Sequence, residues 1–493
     1  MRSFVGLCTL VVMSAVWFLS AAAPVRLGAA AQLLVDDHVI ESLDGLGRVF
    51  HPPERYSGNP ILTGSEPWEK WLIELNGRSV VYDEQRSEFR MYYGANLPDA
   101  GAPTGTRYKI CLALSRDGLH WQRPNLGLVE WEGSRSNNIL PWGQNWMRRP
   151  NVILDPRDPD PNRRYKMTYV DMIDGRTAIT KGYSADGVHW RLNGDDKPWF
   201  RREHSANLLG WDESIGRYVI YPRMSAAPSG KEGHPTSGSR VSAIGRSTSA
   251  DFVTWSEVEL VLAPGVSDPG RDFSGLAAFT YEDLYLGWLW VFDRSKTAEA
   301  ELASSRDGRN WQRVAPGRAF IPRGGAGTWD SEMILVVAPV VRDDKIWIYY
   351  SGWNTPYTTE AQEKLTRGWV ENGRRMQWAI GLATLRLDGF ASLDAGATGG
   401  TLLTRALQLD GRTLTVNARV TGELRVEVLA DGRPLPGYSA AECLPVRGDG
   451  LRQPVRWKQH ADVDELRGRA VQLRFTLRDG SLYAFRCDPR ARG

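Results

Sequence analysis

One heptapeptide, "SRDGLHW" at Ser115–Trp121, returns as "SADGVHW" at Ser184–Trp190 and as "SRDGRNW" at Ser305–Trp311, and its reading decides the fold. In each copy an apolar run such as "YKICLALS" leads into the Ser, Asp-Gly turns the chain, and the Trp opens another extended segment. Ser and Asp side chains bond the amides of a turn, Gly accepts a positive φ, and Trp pins the hairpin to a neighbouring sheet. Asp117, Asp186 and Asp307 are therefore read as turn residues, with no catalytic role. A degraded copy, "SADFVTW" at Ser249–Trp255, carries Phe252 where the others have Gly.

Outward from each turn lie further strand-like runs. "NGRSVVYDEQRSEFRMYYGA" precedes the first copy, "PNVILDPRDPDPNRRYKMTYV" the second, "ANLLGWDESIGRYVIYPR" the degraded one and "SGLAAFTYEDLYLGWLWVF" the last. A fifth pair, "EMILVVAPVVRDDKIWIYYSGW", leads to "MQWAIGLATLRLDGFASL". Five units of three or four strands at a regular spacing predict an all-β chain: a five-bladed β-propeller over 32–398. From 399 to 493 the heptapeptide is missing and apolar and polar residues alternate between Gly-Asp turns, which predicts a C-terminal β-sandwich.

Composition narrows the partners. Of 493 residues, 61 are Lys or Arg and 58 Asp or Glu, and a net charge of +3 lacks the basic surplus of a nucleic-acid binder. The 20 Trp, 17 Tyr and 50 Gly suit twisted sheet and tight turns, and the indoles also suit the apolar face of a sugar ring. Residues 1–31 read as an export signal, with Arg2, an apolar run, and "AAAP" or "GAAAQ" as cleavage boxes; an uncleaved N-terminal anchor is the alternative. The chain is thus expected outside the cytoplasm, in the periplasm, the medium or at the cell surface. Cys443 and Cys487 are candidates for a disulfide, whereas Cys111 reads as a buried small hydrophobe. No spacing implies a metal ligand set or a cofactor, and the one cation the pattern allows is a calcium held by channel acids.

The turns, the opening "LLVDDHVIES" at Leu33–Ser42, and the C-terminal "GELRVEVLADGRPLPGY" and "LRFTLRDGSLYAF" resemble the glycoside hydrolase family 32 and family 43 superfamily. They are most similar to exported family-32-like proteins whose chains begin "LFVDD". The resemblance implies a propeller with a carbohydrate substrate. The family-32 signature "NDPNG" is absent and the only "RDP", Arg157–Pro159, falls in a charged turn, so activity has to be read from the channel.

In a propeller the first strand of each blade lines the channel, and its start faces the mouth. Those starts carry Glu74 and Asn76, then Arg148, Arg149 and Asn151, then Glu203, His204 and Asn207, then Asp268 and Asp272, then Asp330 and Glu332. Glycoside hydrolysis needs one protonated and one ionised carboxyl group. Asp272 with Glu332 is the first choice, and Glu203 and Glu74 are rivals. Arg148, Arg149, Asn151, His204, Asp330, Trp329 and Trp71 are read as substrate-binding residues, with Trp68 close by. A non-catalytic carbohydrate-binding propeller is the competing reading, and phosphorolysis supported by the Arg148–Arg149 pair is a third.

Overall fold

The computed structural model describes residues 23–70, 72–98, 106–141, 147–173, 176–192, 199–201, 205–226, 240–293, 297–356, 370–371 and 374–489. Apart from single 3-10 turns at Pro161–Arg163 and Asp464–Leu466, their regular elements are strands. The chain is all-β. No helix among these residues is long and apolar enough to cross a membrane.

Five antiparallel sheets follow one another along the chain. Sheet I comprises Ile73–Glu74, Val80–Asp83, Glu88–Pro98 and Thr106–Ser115. Sheet II comprises Arg148–Leu154, Tyr165–Ile173, Arg176–Ser184 and Trp190–Leu192, with Phe200–Arg201 at its edge. Sheet III comprises Ala206–Asp212, Arg217–Ala226, Val241–Ser249 and Glu259–Leu262. Sheet IV comprises Arg271–Tyr281, Leu284–Asp293, Ala298–Ser305 and Gln312–Arg313. Sheet V comprises Met333–Val336, Val340–Arg342, Lys345–Trp353 and Trp378–Arg386, and meets sheet IV through one parallel bridge, Ala298 to Met333. The early segments Glu54–Arg55 and Leu62–Thr63 pair with Trp378–Arg386, so sheet V is completed from the other end of the chain. Sheet V also touches sheet I through Ile73–Glu74.

The repeated turn has the bonds its residues predict. Ser115 Oγ accepts from Gly118 N–H (2.8 Å) and donates to Asp117 Oδ1 (3.0 Å), which also accepts from the N–H groups of Leu119 and His120 (2.9 and 2.8 Å). Trp121 Nε1 closes the turn on Gly118 O at 3.2 Å, as Trp190 and Trp311 do on Gly187 and Gly308. Burial would raise the Asp117 carboxyl, but the His120 ring and the two backbone donors hold it well below the carboxylate range.

What the repeat is for lies one sheet away. Tyr92 of sheet I donates to Gly187 O in the turn of sheet II (3.0 Å), and Tyr221 of sheet III donates to Gly308 O in the turn of sheet IV (2.8 Å). Tyr349 of sheet V donates to Gly118 O of sheet I (3.0 Å). Tyr183 of sheet II reaches Phe252 O of sheet III at 3.4 Å, and Tyr281 of sheet IV meets Asp388, in the turn that follows the last strand of sheet V, at 2.9 Å. Each sheet is latched to its successor. Glycine is needed at Gly187 because φ is +75° and a Cβ would sit 2.4 Å from both Tyr92 Oη and Arg90 Nη1. Phe252 keeps the same left-handed turn at φ +62°, and its fully buried ring fills the space between Trp199, Tyr218 and Trp255.

The leading strands are stitched near Gly77. Asn151 Oδ1 accepts from Arg78 N–H and Leu208 N–H (2.9 and 3.1 Å), its Nδ2 donates to Ala206 O (3.0 Å), and Ala338 N–H donates to Gly77 O (2.7 Å). Four sheets meet in these bonds.

Residues beyond 390 form a second all-β unit around its own core, built on the long paired strands Thr413–Ala430 and Ala470–Asp488. Val25–Leu27, Gln32–Leu33, Ile40–Asp44 and Gly47–Phe50 pair with this unit, and Ala31, Leu33 and Val35 between them pack against the core of sheets IV and V. The apolar side chains Leu27, Leu34, Val39 and Ile40 complete the core of the second unit. The two units join through Arg486, which donates to Glu282 (3.2 Å) and Asp388 (3.1 Å).

The candidate Cys443–Cys487 disulfide is not formed: Cys111, Cys443 and Cys487 are free and buried. Cys443 Sγ lies beside Val426 N–H, whereas Cys487 pairs with Leu414, at the other end of the same long strand.

Candidate functional site

A cavity of about 170 Å3 opens where the leading ends of the five sheets converge. Sheet I contributes Asn76, sheet II Arg149, sheet III Arg223 and Ser242, sheet IV Asp272, Ser274, Trp290 and Phe292, and sheet V Met333, Leu335 and Trp353. Alternation along the strands explains the selection. Asp272 and Ser274 face the cavity while Phe273 enters a core cluster, and Met333 and Leu335 line it while Ile334 packs behind. Arg149 needs a different device. The pairing with Tyr165–Ile173 slips between Arg148 and Asn151, and Arg149 takes φ +58° in this bulge, which re-aims its side chain.

The polar groups are held differently from those of the turns. Ser242 N–H donates to Asp272 Oδ1 at 2.6 Å, fixing one carboxylate oxygen from the adjacent sheet. Asn76 is 1% exposed and its Oδ1 has no hydrogen-bond partner among the described residues; Asn207, equally buried, has none among them at either amide atom. A Cβ on Gly77 or Gly275 would sit 2.7 or 3.0 Å from the Asn207 amide, so these orphaned groups lie where sheets I, III and IV approach. Glu74 sits two residues before Asn76, on the side opposite the core residues Ile73 and Leu75. It is 4% exposed and makes no ion pair or side-chain hydrogen bond with the described residues. Such a carboxyl group is costly to bury and is a mark of function.

Several residues read as site residues are occupied elsewhere. Asn151 gives its amide to the backbone stitch described above. Arg148 donates to Tyr108 Oη (3.3 Å) and lies over its ring. Asp330 is 1% exposed and accepts from Arg55 Nη1 and Thr328 Oγ1, both at 2.8 Å, tying the early segment to sheet V. Trp329 stacks on Tyr350 and fills the space above Gly352 and Gly381. Asp268 pairs with Arg313, and Trp68 Nε1 donates to Asn138. Glu332 is one residue out of phase with Met333 and Leu335 and is not part of the lining, so the Asp272–Glu332 pair is not assembled in this cavity. Glu203, His204 and Trp71 lie outside the described residues. Arg223, Ser242, Trp290 and Trp353 escaped the sequence reading because they belong to later strands of their sheets, where no turn or motif marks them.

No group of three His, Cys, Asp or Glu side chains among the described residues is arranged to hold a metal ion. A wider concavity of about 530 Å3 lies at the trailing ends of the leading strands, lined by Arg78, Leu154, Asp155, Arg157, Trp211 and Val340 among others. Burial there pulls the Arg78 guanidinium down to about 10. Asp155 is engaged with Lys166 and Arg157, so its polar groups are largely taken up internally.

No family model matches the chain, and no curated protein matches it. Solved structures similar to it include one described as "Glycoside hydrolase", 15% identical, with a TM-score of 0.46, covering 68% of this chain and 92% of that one. Another, on mannoside phosphorylases and glycoside hydrolases of the GH130 family that target β-1,2 mannosidic linkages in Candida mannan, is 15% identical (TM-score 0.45; 69% and 94% covered). A β-1,2-mannobiose phosphorylase from Listeria innocua is 13% identical (TM-score 0.45; 68% and 97% covered).

Proposed function

We propose that the chain is an exported carbohydrate-active enzyme that holds a glycan in the Asp272 cavity and hydrolyses a glycosidic bond there. The five sheets are taken as the blades of a propeller, a reading supported by the successive tyrosine latches and by completion of sheet V with Glu54–Arg55 and Leu62–Thr63. The observation that carries the function is the cavity lining: one anchored carboxylate, two guanidinium groups, an orphaned amide oxygen and indole walls, gathered from every sheet. Sugar sites combine such polar groups with aromatic surface. Glu74 is taken as the partner of Asp272, because it shares a strand face with Asn76 of the lining and its carboxyl group makes no ion pair or side-chain hydrogen bond with the described residues. Cleavage at "AAAP" would leave Val25–Leu27, which pairs with Leu407–Leu409, in the exported chain.

The test is turnover of an oligosaccharide panel by the wild type, Asp272→Asn and Glu74→Gln. Each variant is expected to lose about 100-fold or more in kcat, as for loss of an acid or base group, with an unchanged melting temperature. A wild type that binds a glycan and never cleaves it would establish the binding-protein reading instead. The cavity lining favours that reading to the extent that it contains one carboxylate among the described residues.

A further inference from the structure

We infer that the concavity at the trailing ends of the leading strands is a second binding site, and that it takes an oxyanion, a carboxylate, sulfate or phosphate group, on the guanidinium of Arg78. The site does not rest on the glycan reading above. All five sheets wall it, with Val80 from sheet I, Leu154 from sheet II, Leu209 from sheet III, Thr280 from sheet IV and Val340 from sheet V. Asp272 and Thr280 stand at opposite ends of one strand, Arg271–Tyr281, so this opening is separate from the Asp272 cavity. Its volume of about 530 Å3 lies within the range of small-molecule sites. The hairpins between Asp83 and Glu88, Asp212 and Arg217, and Tyr281 and Leu284 are tight, and every residue in them is described, so they leave this end of the sheets open.

Arg78 is held by its backbone in the stitch between the sheets: its N–H donates to Asn151 Oδ1 (2.9 Å) and its carbonyl accepts from Val152 N–H (2.7 Å). Its side chain lines the concavity and makes no ion pair or side-chain hydrogen bond with the described residues. Nε, sealed from solvent, has no partner among them, which leaves the outer nitrogens to receive a ligand. The lining holds three carboxylates and two guanidinium groups, so it is pairing and not net charge that singles out Arg78. Asp155 accepts from Lys166 (2.9 Å), Arg157 (3.2 Å) and the Tyr218 hydroxyl. Arg157 also lies over the Trp211 ring at 3.8 Å and meets Glu213 at 3.7 Å, and Glu84 faces Arg342 at 3.7 Å. The Glu84 and Glu213 side chains are 83% and 79% exposed, so they stand in water at the rim, where salt screens them. Burial lowers the Arg78 guanidinium to about 10 with no carboxylate opposing it, so neither these acids nor Glu74 serves as its counter-ion, and it is still charged at neutral pH. A desolvated guanidinium gains most from an ionised acceptor, and its fork matches the paired oxygens of an oxyanion, which a neutral hydroxyl cannot replace.

Calorimetry on the full chain measures binding of inorganic sulfate, inorganic phosphate, glucuronate and, as a neutral control, glucose. The proteins are the wild type, Arg78→Met, which removes the charge, and Arg78→Lys, which keeps the charge without the fork. Melting temperatures without ligand identify any variant that fails to fold. Val341→Glu, at a half-exposed position of the same wall, sets a second negative charge against the ligand and keeps the test open if Arg78→Met does not fold. The expected result is wild-type binding of at least one anion in preference to glucose. Arg78→Met should weaken it on the order of 10–100-fold, as for loss of a charge-assisted hydrogen bond, with Arg78→Lys and Val341→Glu weakening it less. Tighter binding of glucuronate than of sulfate and phosphate would support the site with a sugar acid as its ligand, and the reverse order would support it with a free inorganic oxyanion. Binding of none of the three anions, or glucose bound as tightly as they are, would overturn the inference. So would an affinity unchanged in Arg78→Met or, should that variant not fold, unchanged in both of the others. None of these outcomes bears on the glycan reading, which is tested at Asp272 and Glu74.

Discussion

The turns at the sheet edges and the cavity at the leading strand ends are built by opposite rules. At the edges the same residues recur in sheet after sheet: Ser, Asp, Gly and Trp within the turn, and a tyrosine from the preceding sheet on its carbonyl. At the leading ends, equivalent positions hold different chemistry, with an amide in sheet I, a bulged arginine in sheet II, a carboxylate in sheet IV and a methionine in sheet V. Recurrence marks what every sheet needs in order to pack. Divergence at equivalent positions marks what only a common cavity needs. The degraded copy illustrates the limit of the first rule, because Phe252 keeps the left-handed turn while the glycine and the indole bond that closes it are given up.

If that division holds, damage to the turns should lower stability and leave glycan binding or turnover by the folded protein alone. The largest effect is expected at Trp311, 7% exposed and packed edge-on against Tyr221: Trp311→Ala should cost about 3–5 kcal/mol in denaturant unfolding. Surface-like tolerance there would break the comparison. Gly187→Ala should follow at roughly 2–3 kcal/mol, from left-handed strain and from a Cβ driven against Tyr92 and Arg90. A neutral result would mean that the latch can shift freely.

A pH titration sharpens the same point at the contact between sheets I and II. Asp83, fully buried, receives both nitrogens of Arg164 (2.7 and 3.0 Å) and the Tyr165 hydroxyl. Burial alone would raise its carboxyl, but these donors bring it down to about 2 from an ordinary value near 3.8. A depressed folded value means that the stabilisation is complete above pH of about 4 and is lost as pH falls toward 2. Its size is about 2 kcal/mol. Unfolding free energy followed over that window in the wild type and Asp83→Asn should show the wild type losing its advantage; parallel curves would refute the assignment. The smallest effect is expected at Tyr92→Phe, which removes one of the two hydrogen bonds to Gly187 O and leaves the one from Trp190 Nε1, at about 1 kcal/mol. If this change altered kcat more than stability, the edge and the cavity would be coupled.

The all-β class and the repeated turns were legible because their signals are local: Ser115, Asp117 and Gly118 bond one another within three residues. Asp272, Arg149 and Asn76 could be picked out because they lie at strand starts. Glu332 could not be rejected by the same logic, since a shift of one residue in the pleat decides which of Glu332 and Met333 faces the cavity. The latch tyrosines left no trace in the sequence either, because Tyr349 and Gly118 are 231 residues apart. The N-terminal segment shows the same limit: "LLVDD" is apolar enough for any core, and only the tertiary structure pairs Leu33 with Ala484 while its side chain packs with those of sheets IV and V.

By itself, then, the sequence determined the turns, the strand class and the absence of a nucleic-acid-like charge surplus, all properties of neighbouring residues or of their sum. The cavity was decided only by tertiary structure. Its charge balance exists only when Arg149, Arg223 and Asp272 are brought from three sheets to one small volume, and the phase of each pleat selects which side chains enter it.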